Sequence, residues 1–252
     1  MGIWVIYKKE VKTFFTSPWF CFVFFLVTFL LSILYLMSLE NFAQMSLMPA
    51  QGQPPLNIHT FVFMPHLNWL YLTFLVLIPL LTMRTLSEEK KERTMDLLLT
   101  SPLTSLDIVL GKFFACWTAV LSIVGVTFLF PLATSLVADF DWGPLWGSYL
   151  GMVLLTAFNV SLCLIASALT ESALLSGFLG FLFILSTMVV GSGVGKFSNP
   201  ILSAIFEQMA LVLHLEDFFQ GTLDISAFVY LISAVVFFCF ITQRVVESAR
   251  WR

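Results

Sequence analysis

The chain has 252 residues, of which 59% are hydrophobic and 11% charged, with a net charge of −3 and 28 Phe. Soluble domains carry roughly 25% charged residues, so this chain lacks the polar surface that water demands and its solvent is lipid. That composition points to membrane lipid as a partner and to no nucleic acid.

Trp4, Tyr7, Val11, Phe14 and Phe15 recur at helical spacing, while Lys8, Lys9, Glu10, Lys12 and Thr13 take the other face. The pattern predicts an interfacial helix over residues 1–17 lying on one leaflet. Ser17-Pro18 then supplies a cap and a first-turn proline for an elbow into the membrane. The apolar run after it is longer than a signal-peptide core and no small-residue cleavage site follows, so it reads as the first span.

A spanning helix needs about 20 predominantly apolar residues. The stretches without Asp, Glu, Lys or Arg predict six spans, over roughly 18–38, 66–84, 107–136, 147–169, 172–192 and 224–243. The fold class is therefore all-α, a polytopic integral membrane protein whose residues 18–252 form a single six-helix domain. Six spans put both termini on one side. Lys8, Lys9, Lys12, Arg84, Lys90, Lys91, Arg93, Lys112, Arg244, Arg250 and Arg252 fall on that side and Lys196 opposite, which predicts cytoplasmic termini. Pro79 and Pro131 fall within spans two and three and predict kinks there.

Between spans two and three lies an island of charge over residues 85–106, holding Glu88, Glu89, Lys90, Lys91, Glu92, Arg93 and Asp96. It reads as a helix capped by Ser87, a stop at Thr100-Ser101-Pro102, and a second helix opened by a capping box of Thr104 and Asp107. Leu97, Leu98 and Leu99 make it more apolar than a solvated connector requires, so it predicts a docking surface.

Span four opens with Gly147 and Gly151 in a GxxxG spacing, and span five carries Gly177 and Gly180. Small residues let helices approach closely, against the same bundle or against a sister subunit. Asn159-Val160-Ser161 matches a glycosylation acceptor but lies inside span four, which predicts an interhelical hydrogen bond from Asn159 instead. Beyond span five, Asn199-Pro200 opens an amphipathic stretch on the outer side, in which Ile201, Ile205, Met209, Val212, Leu213 and Phe219 oppose Glu207, Gln208, Glu216 and Asp217. It predicts a helix dipping into the outer leaflet within residues 193–223.

Chemistry-bearing constellations do not emerge. No G-x-x-x-x-G-K-[ST] loop is present, and Gly191-Ser192-Gly193-Val194-Gly195 closes a span rather than a βαβ unit. His59, His66 and His214 are far apart in sequence and read as single satisfied or solvated side chains. Cys21, Cys116, Cys163 and Cys239 are scattered singly and read as packing. No metal, catalytic or cofactor-binding residue is predicted, and a membrane-embedded enzyme has no credible catalytic set. The absence of charge from the middle of any span argues against a secondary transporter.

Glu92, Thr94, Asp96, Leu97, Leu98, Leu99, Thr100, Pro102 and Ile108-Val109-Leu110-Gly111-Lys112 resemble the segment between spans two and three of ABC-2 type transporter permeases. Arg93 stands where that pattern has glycine, and Asp96 where it has glutamate. Lys9-Glu10, Phe15-Thr16-Ser17-Pro18, His214-Leu215-Glu216-Asp217-Phe218-Phe219-Gln220-Gly221 and Arg250-Trp251-Arg252 are similar to the gliding-motility permease subgroup.

The resemblance implies a subunit of the bacterial inner membrane, paired with a second copy or a related permease and resting on an ABC ATPase that holds ATP and Mg. A further periplasmic or membrane subunit is compatible with it. It also implies that Glu88, Glu89, Glu92, Arg93, Thr94, Asp96, Leu98, Leu99, Thr100 and Pro102 form the ATPase-coupling interface, and that the stretch with Ile205, Met209 and Leu213 forms an outer gate. Transport, by export or extraction, and a mechanical or envelope-assembly role both remain open.

Overall fold

The computed structural model describes residues 2–47, 57–94, 103–193, 218–219 and 225–248. Eight α-helices are described: α1 (Gly2–Thr16), α2 (Pro18–Leu47), α3 (Met64–Thr82), α4 (Ser87–Lys91), α5 (Ser105–Thr134), α6 (Trp142–Leu169), α7 (Ala173–Gly193) and α8 (Ile225–Ser248). A single π-helical turn, His59–Phe63, leads into α3. Strands are absent among the described residues. Among the described residues, six helical segments are long and apolar enough to cross a membrane.

The first span runs to Leu47, well past its predicted end at 38. Glu40 and Asn41 end the apolar stretch but not the helix, because polar residues of this kind sustain helical backbone and no breaker occurs before Pro49. Both α3 and α5 continue through their prolines, Pro79 and Pro131.

The bundle is organised around α6, which packs against α3, α5, α7 and α8. In its most apolar stretch 78% of the residues are buried, against 17% for the fifth span and 28% for the first. Its sequence explains the position: Gly147, Ser148, Gly151, Ala157, Ser161, Ala166, Ser167 and Ala168 are all buried, and such small side chains allow backbones to approach. A Cβ placed on Gly151 would lie 2.7 Å from Phe218 Cβ, so Gly151 meets the same chain and not a sister copy. On α7, Gly180 faces Cys163 and Pro79, and Gly177 faces Met83.

By contrast α2 buries a narrow stripe, Phe20, Val23, Val27, Leu31 and Tyr35, and leaves Phe22, Phe25 and Phe29 on its outer side. In a spanning helix that outer side meets lipid or another subunit.

Polar side chains inside the bundle find partners across helices. Tyr35 Oη and Thr134 Oγ1 are 2.6 Å apart, Tyr149 Oη donates to Thr127 O at 2.9 Å, and Trp117 Nε1 donates to Thr156 Oγ1 at 3.2 Å. His66 departs from expectation. It is buried edge-on between Tyr35 and Phe130, and neither ring nitrogen has a partner among the described residues. Asn159 likewise makes no interhelical hydrogen bond among the described residues, although it is buried within α6. Whether a polar partner stands opposite a buried Asn is decided by the packing of other helices, which sequence spacing does not report. His214 and the outer stretch carrying Ile205, Met209 and Leu213 lie outside the described residues.

Gly151→Val should therefore destabilise the protein by about 1–3 kcal/mol through overpacking against Phe218. Gly125 has no neighbour within 4 Å of an added Cβ, and Gly125→Ala should hold or raise stability. Thermal unfolding of the detergent-solubilised chain distinguishes the two.

Candidate functional site at the charged end of the bundle

The charged island begins with α4, a helix of one turn that could not persist alone. Glu88 and Glu89 occupy its first turn and Lys90 and Lys91 its last, complementing the helix dipole at both ends. Its first amides are not capped by Ser87, as the sequence suggests. The N-cap is Leu86, and Ser167 of α6 takes the capping role, its Oγ accepting from Leu86 N at 3.1 Å and Ser87 N at 3.2 Å. Ser87 Oγ instead donates to Met83 O. Lys90 Nζ donates to Ala168 O at the last turn of α6. A helix terminus exposes unsatisfied carbonyls with partial negative charge, which suits an ammonium there. The short helix is thus fastened to the end of α6 at both of its own ends.

Beneath α4 sits Lys112, two turns into α5 and 2% exposed. Its Nζ donates to Thr85 O at 2.7 Å, Glu89 Oε1 at 2.8 Å and Glu10 Oε1 at 3.1 Å. One cation therefore joins α1, the segment after α3, α4 and α5. All three ammonium protons are used, which a buried ammonium requires if its desolvation is to be offset. The adjacent residue makes the approach possible: a Cβ on Gly111 would fall 2.8 Å from Ile6 Cβ, so α1 can lie this close to α5 only over a glycine. Tyr7 Oη and Thr118 Oγ1, 3.2 Å apart, extend the same contact. This seating differs from a helix resting on a leaflet alone, because α1 docks lengthwise on protein.

The exit from α4 is strained. Arg93 has φ of 57°, in the left-handed region that favours glycine. It follows the C-cap residue Glu92, the position at which helices commonly end on a left-handed residue. On the far side of the island, Thr104 and Asp107 form the predicted capping box, with Asp107 N donating to Thr104 Oγ1 and Thr104 N to Asp107 Oδ2, each at 3.1 Å.

The sequence that builds these helices has a counterpart among known families. The sequence model of the ABC-2 family transporter proteins matches residues 4–244. The chain belongs to that family. It is a permease component of an ABC transporter, and such components are membrane subunits without an ATPase domain of their own. No curated protein matches the chain.

In this permease the residues predicted for coupling separate into two sets. Glu92 and Arg93 are exposed and Glu88 is partly so, whereas Glu89 turns inward to Lys112. Arg84 and Glu88 form an exposed i,i+4 pair at 3.3 Å, worth roughly 0.3–0.5 kcal/mol. Thr94 Oγ1 reaches back toward Glu89 O at 3.4 Å. Asp96, Leu98, Leu99, Thr100 and Pro102 lie outside the described residues. Sequence reasoning missed Glu10, Thr85 and Ser167 and took Lys112 as a motif letter and a topology marker. A signal was available, since a lysine two turns inside an apolar helix requires a counter-charge. Among the described residues no group of His, Cys, Asp and Glu could hold a metal ion.

Two outcomes follow from this geometry. Lys112→Met alone should cost about 3–5 kcal/mol, because it strands two carboxylates, while adding Glu10→Gln and Glu89→Gln should recover most of that loss. Denaturation of the wild type, the single variant and the triple variant side by side reads the coupling. Arg93→Gly should stabilise by about 1 kcal/mol by relieving the left-handed strain, visible as a small rise in thermal midpoint.

Proposed function

We propose that this permease couples ATP hydrolysis in a separate ABC ATPase subunit to export or extraction of a substrate across the bacterial inner membrane. ATP and Mg belong to that partner in this reading, since the sequence has no phosphate-binding loop. The observation that carries the reading is the fastening of α4. A one-turn helix, exposed at Lys91 and at the Glu92 and Arg93 that follow it, is held from beneath by Lys112, Ser167 and the end of α6. An ordinary solvated loop needs no such support, whereas a surface that receives force from a soluble subunit must not give way under it.

The docking segment then continues through Leu98, Leu99, Thr100 and Pro102. A second permease copy or a related subunit completes the transporter. The outer stretch with Ile205, Met209 and Leu213 serves as its gate in this reading. Cytoplasmic termini are supported by the basic residues of α1, α4, the start of α5 and the end of α8, all of which belong to the end of the bundle bearing the island. A mechanical or envelope-assembly role is the second reading, favoured by the similarity of Phe15-Thr16-Ser17-Pro18 and the closing Arg250-Trp251-Arg252 to gliding-motility permeases.

Leu98→Asp should abolish copurification of the ATPase while the permease still inserts, because buried interface anchors cost about 2 kcal/mol or more when disrupted. Lys91→Ala, at an exposed rim, should cost less than about 1 kcal/mol. A photoreactive ATP analogue should label the partner alone. Normal assembly of Leu98→Asp, or specific labelling of this chain, sinks the proposal.

A further inference from the structure

Between α1 and the start of α2 on one side, and the end of α3 with α4 on the other, lies a cavity of about 430 Å³. We propose that it binds the headgroup of a zwitterionic phospholipid bearing a primary ammonium. Its charged walls are of both signs, with Lys9 and Glu10 on α1 and Arg84, Glu88, Glu89 and Glu92 opposite. The rest of the lining mixes hydroxyl side chains, Thr13, Ser17, Thr85 and Thr94, with an apolar part formed by Phe14, Phe20, Leu80 and Leu81 and half-exposed Trp19.

The polar groups define what is missing. Lys112 also borders the cavity, but its three protons are spent on Thr85, Glu89 and Glu10. Glu89 Oε2 is buried and has no hydrogen-bond partner among the described residues. Buried acceptors are ordinarily satisfied, an ionised one above all, and a primary ammonium brings three donors. Arg84 places Nε on Glu88. A guanidinium has five N–H donors in a planar fork that suits a phosphate, so Arg84 retains donors for one. Ammonium toward Glu89 and Glu92, and phosphate toward Arg84 and Lys9, would set each headgroup charge against side chains of the opposite sign.

The apolar part of the lining, Phe14, Trp19, Phe20, Leu80 and Leu81, favours a lipid over a soluble zwitterion. It lies where α2 begins and α3 ends, at the boundary of two helices able to cross a membrane, and Trp is the side chain favoured at that depth. Acyl chains leaving the cavity pass directly into the bilayer. A quaternary ammonium headgroup carries no N–H and cannot donate to Glu89, so the site discriminates among zwitterionic lipids. The proposal concerns the permease alone and does not depend on ATPase docking.

The test is native mass spectrometry of the full chain released from nanodiscs of equimolar dioleoyl phosphatidylethanolamine, phosphatidylcholine and phosphatidylglycerol. One phosphatidylethanolamine should be retained with about tenfold preference over phosphatidylcholine, the scale of one charge-assisted hydrogen bond. Glu89→Gln and Glu92→Gln should each bring the two toward parity. Glu92→Gln touches no part of the Lys112 cluster and keeps the test decisive if Glu89→Gln fails to fold. Free phosphoethanolamine at matching concentration should not displace the lipid; if it does, the ligand is a soluble zwitterion and the lipid assignment falls. Equal retention of the two lipids, or an unchanged preference in both variants, overturns the proposal. Unchanged lipid retention with loss of ATPase copurification would assign the cavity to a partner's basic side chain instead.

Discussion

An ammonium placed two turns inside an apolar helix must be neutralised by the protein, because lipid cannot solvate it and the Coulombic gain is realised only with full hydrogen bonding. Lys112 is in that position, and the charged end of the permease is arranged around its needs. Glu10 comes from α1, Glu89 from α4 and a backbone carbonyl from Thr85, so three otherwise separate pieces are bound to the start of α5. Gly111 permits the helix contact that brings Glu10 within reach. The neighbouring glycine and lysine therefore do two linked jobs, one steric and one electrostatic.

The same region also depends on α6. Its buried course through the bundle ends in Ser167 and Ala168, which receive the first amides of α4 and the Lys90 ammonium. In the proposed reading, a displacement of α4 would be felt by α5 and α6, which are joined to it directly, and by α1 through Lys112. Small side chains along α6 give it close contact with four neighbouring helices, which favours movement of packed helices as units over local bending. Buried groups without partners among the described residues, His66 and Asn159, lie within this packed region.

Charge on α4 and in the two residues after it is divided between the inside and the surface. Glu89 and Lys90 are consumed in fastening, while Lys91, Glu92 and Arg93 are left to the surface. The left-handed backbone at Arg93 lies where the family resemblance has glycine. A long cation retained there at a conformational cost of roughly 1 kcal/mol is consistent with a surface role for its side chain.

Composition and the lengths of the charge-free runs determined the class of this protein, because burying a helix in lipid depends on its apolar length and little else. The capping box of Thr104 and Asp107 was equally legible, since both partners lie within one turn of the same helix. The inward faces of the spans were not. Both sides of α2 are apolar, and hydrophobicity cannot distinguish lipid from protein as a neighbour, so the stripe from Phe20 to Tyr35 was decided by packing. The cap supplied to α4 by Ser167 and the pairing of Lys112 with Glu10 join residues 80 to 102 positions apart along the chain. Periodicity and spacing report neighbours within a few turns. Contacts that reach across the sequence come into being only when the helices assemble, and at this permease's charged end those contacts hold the site together.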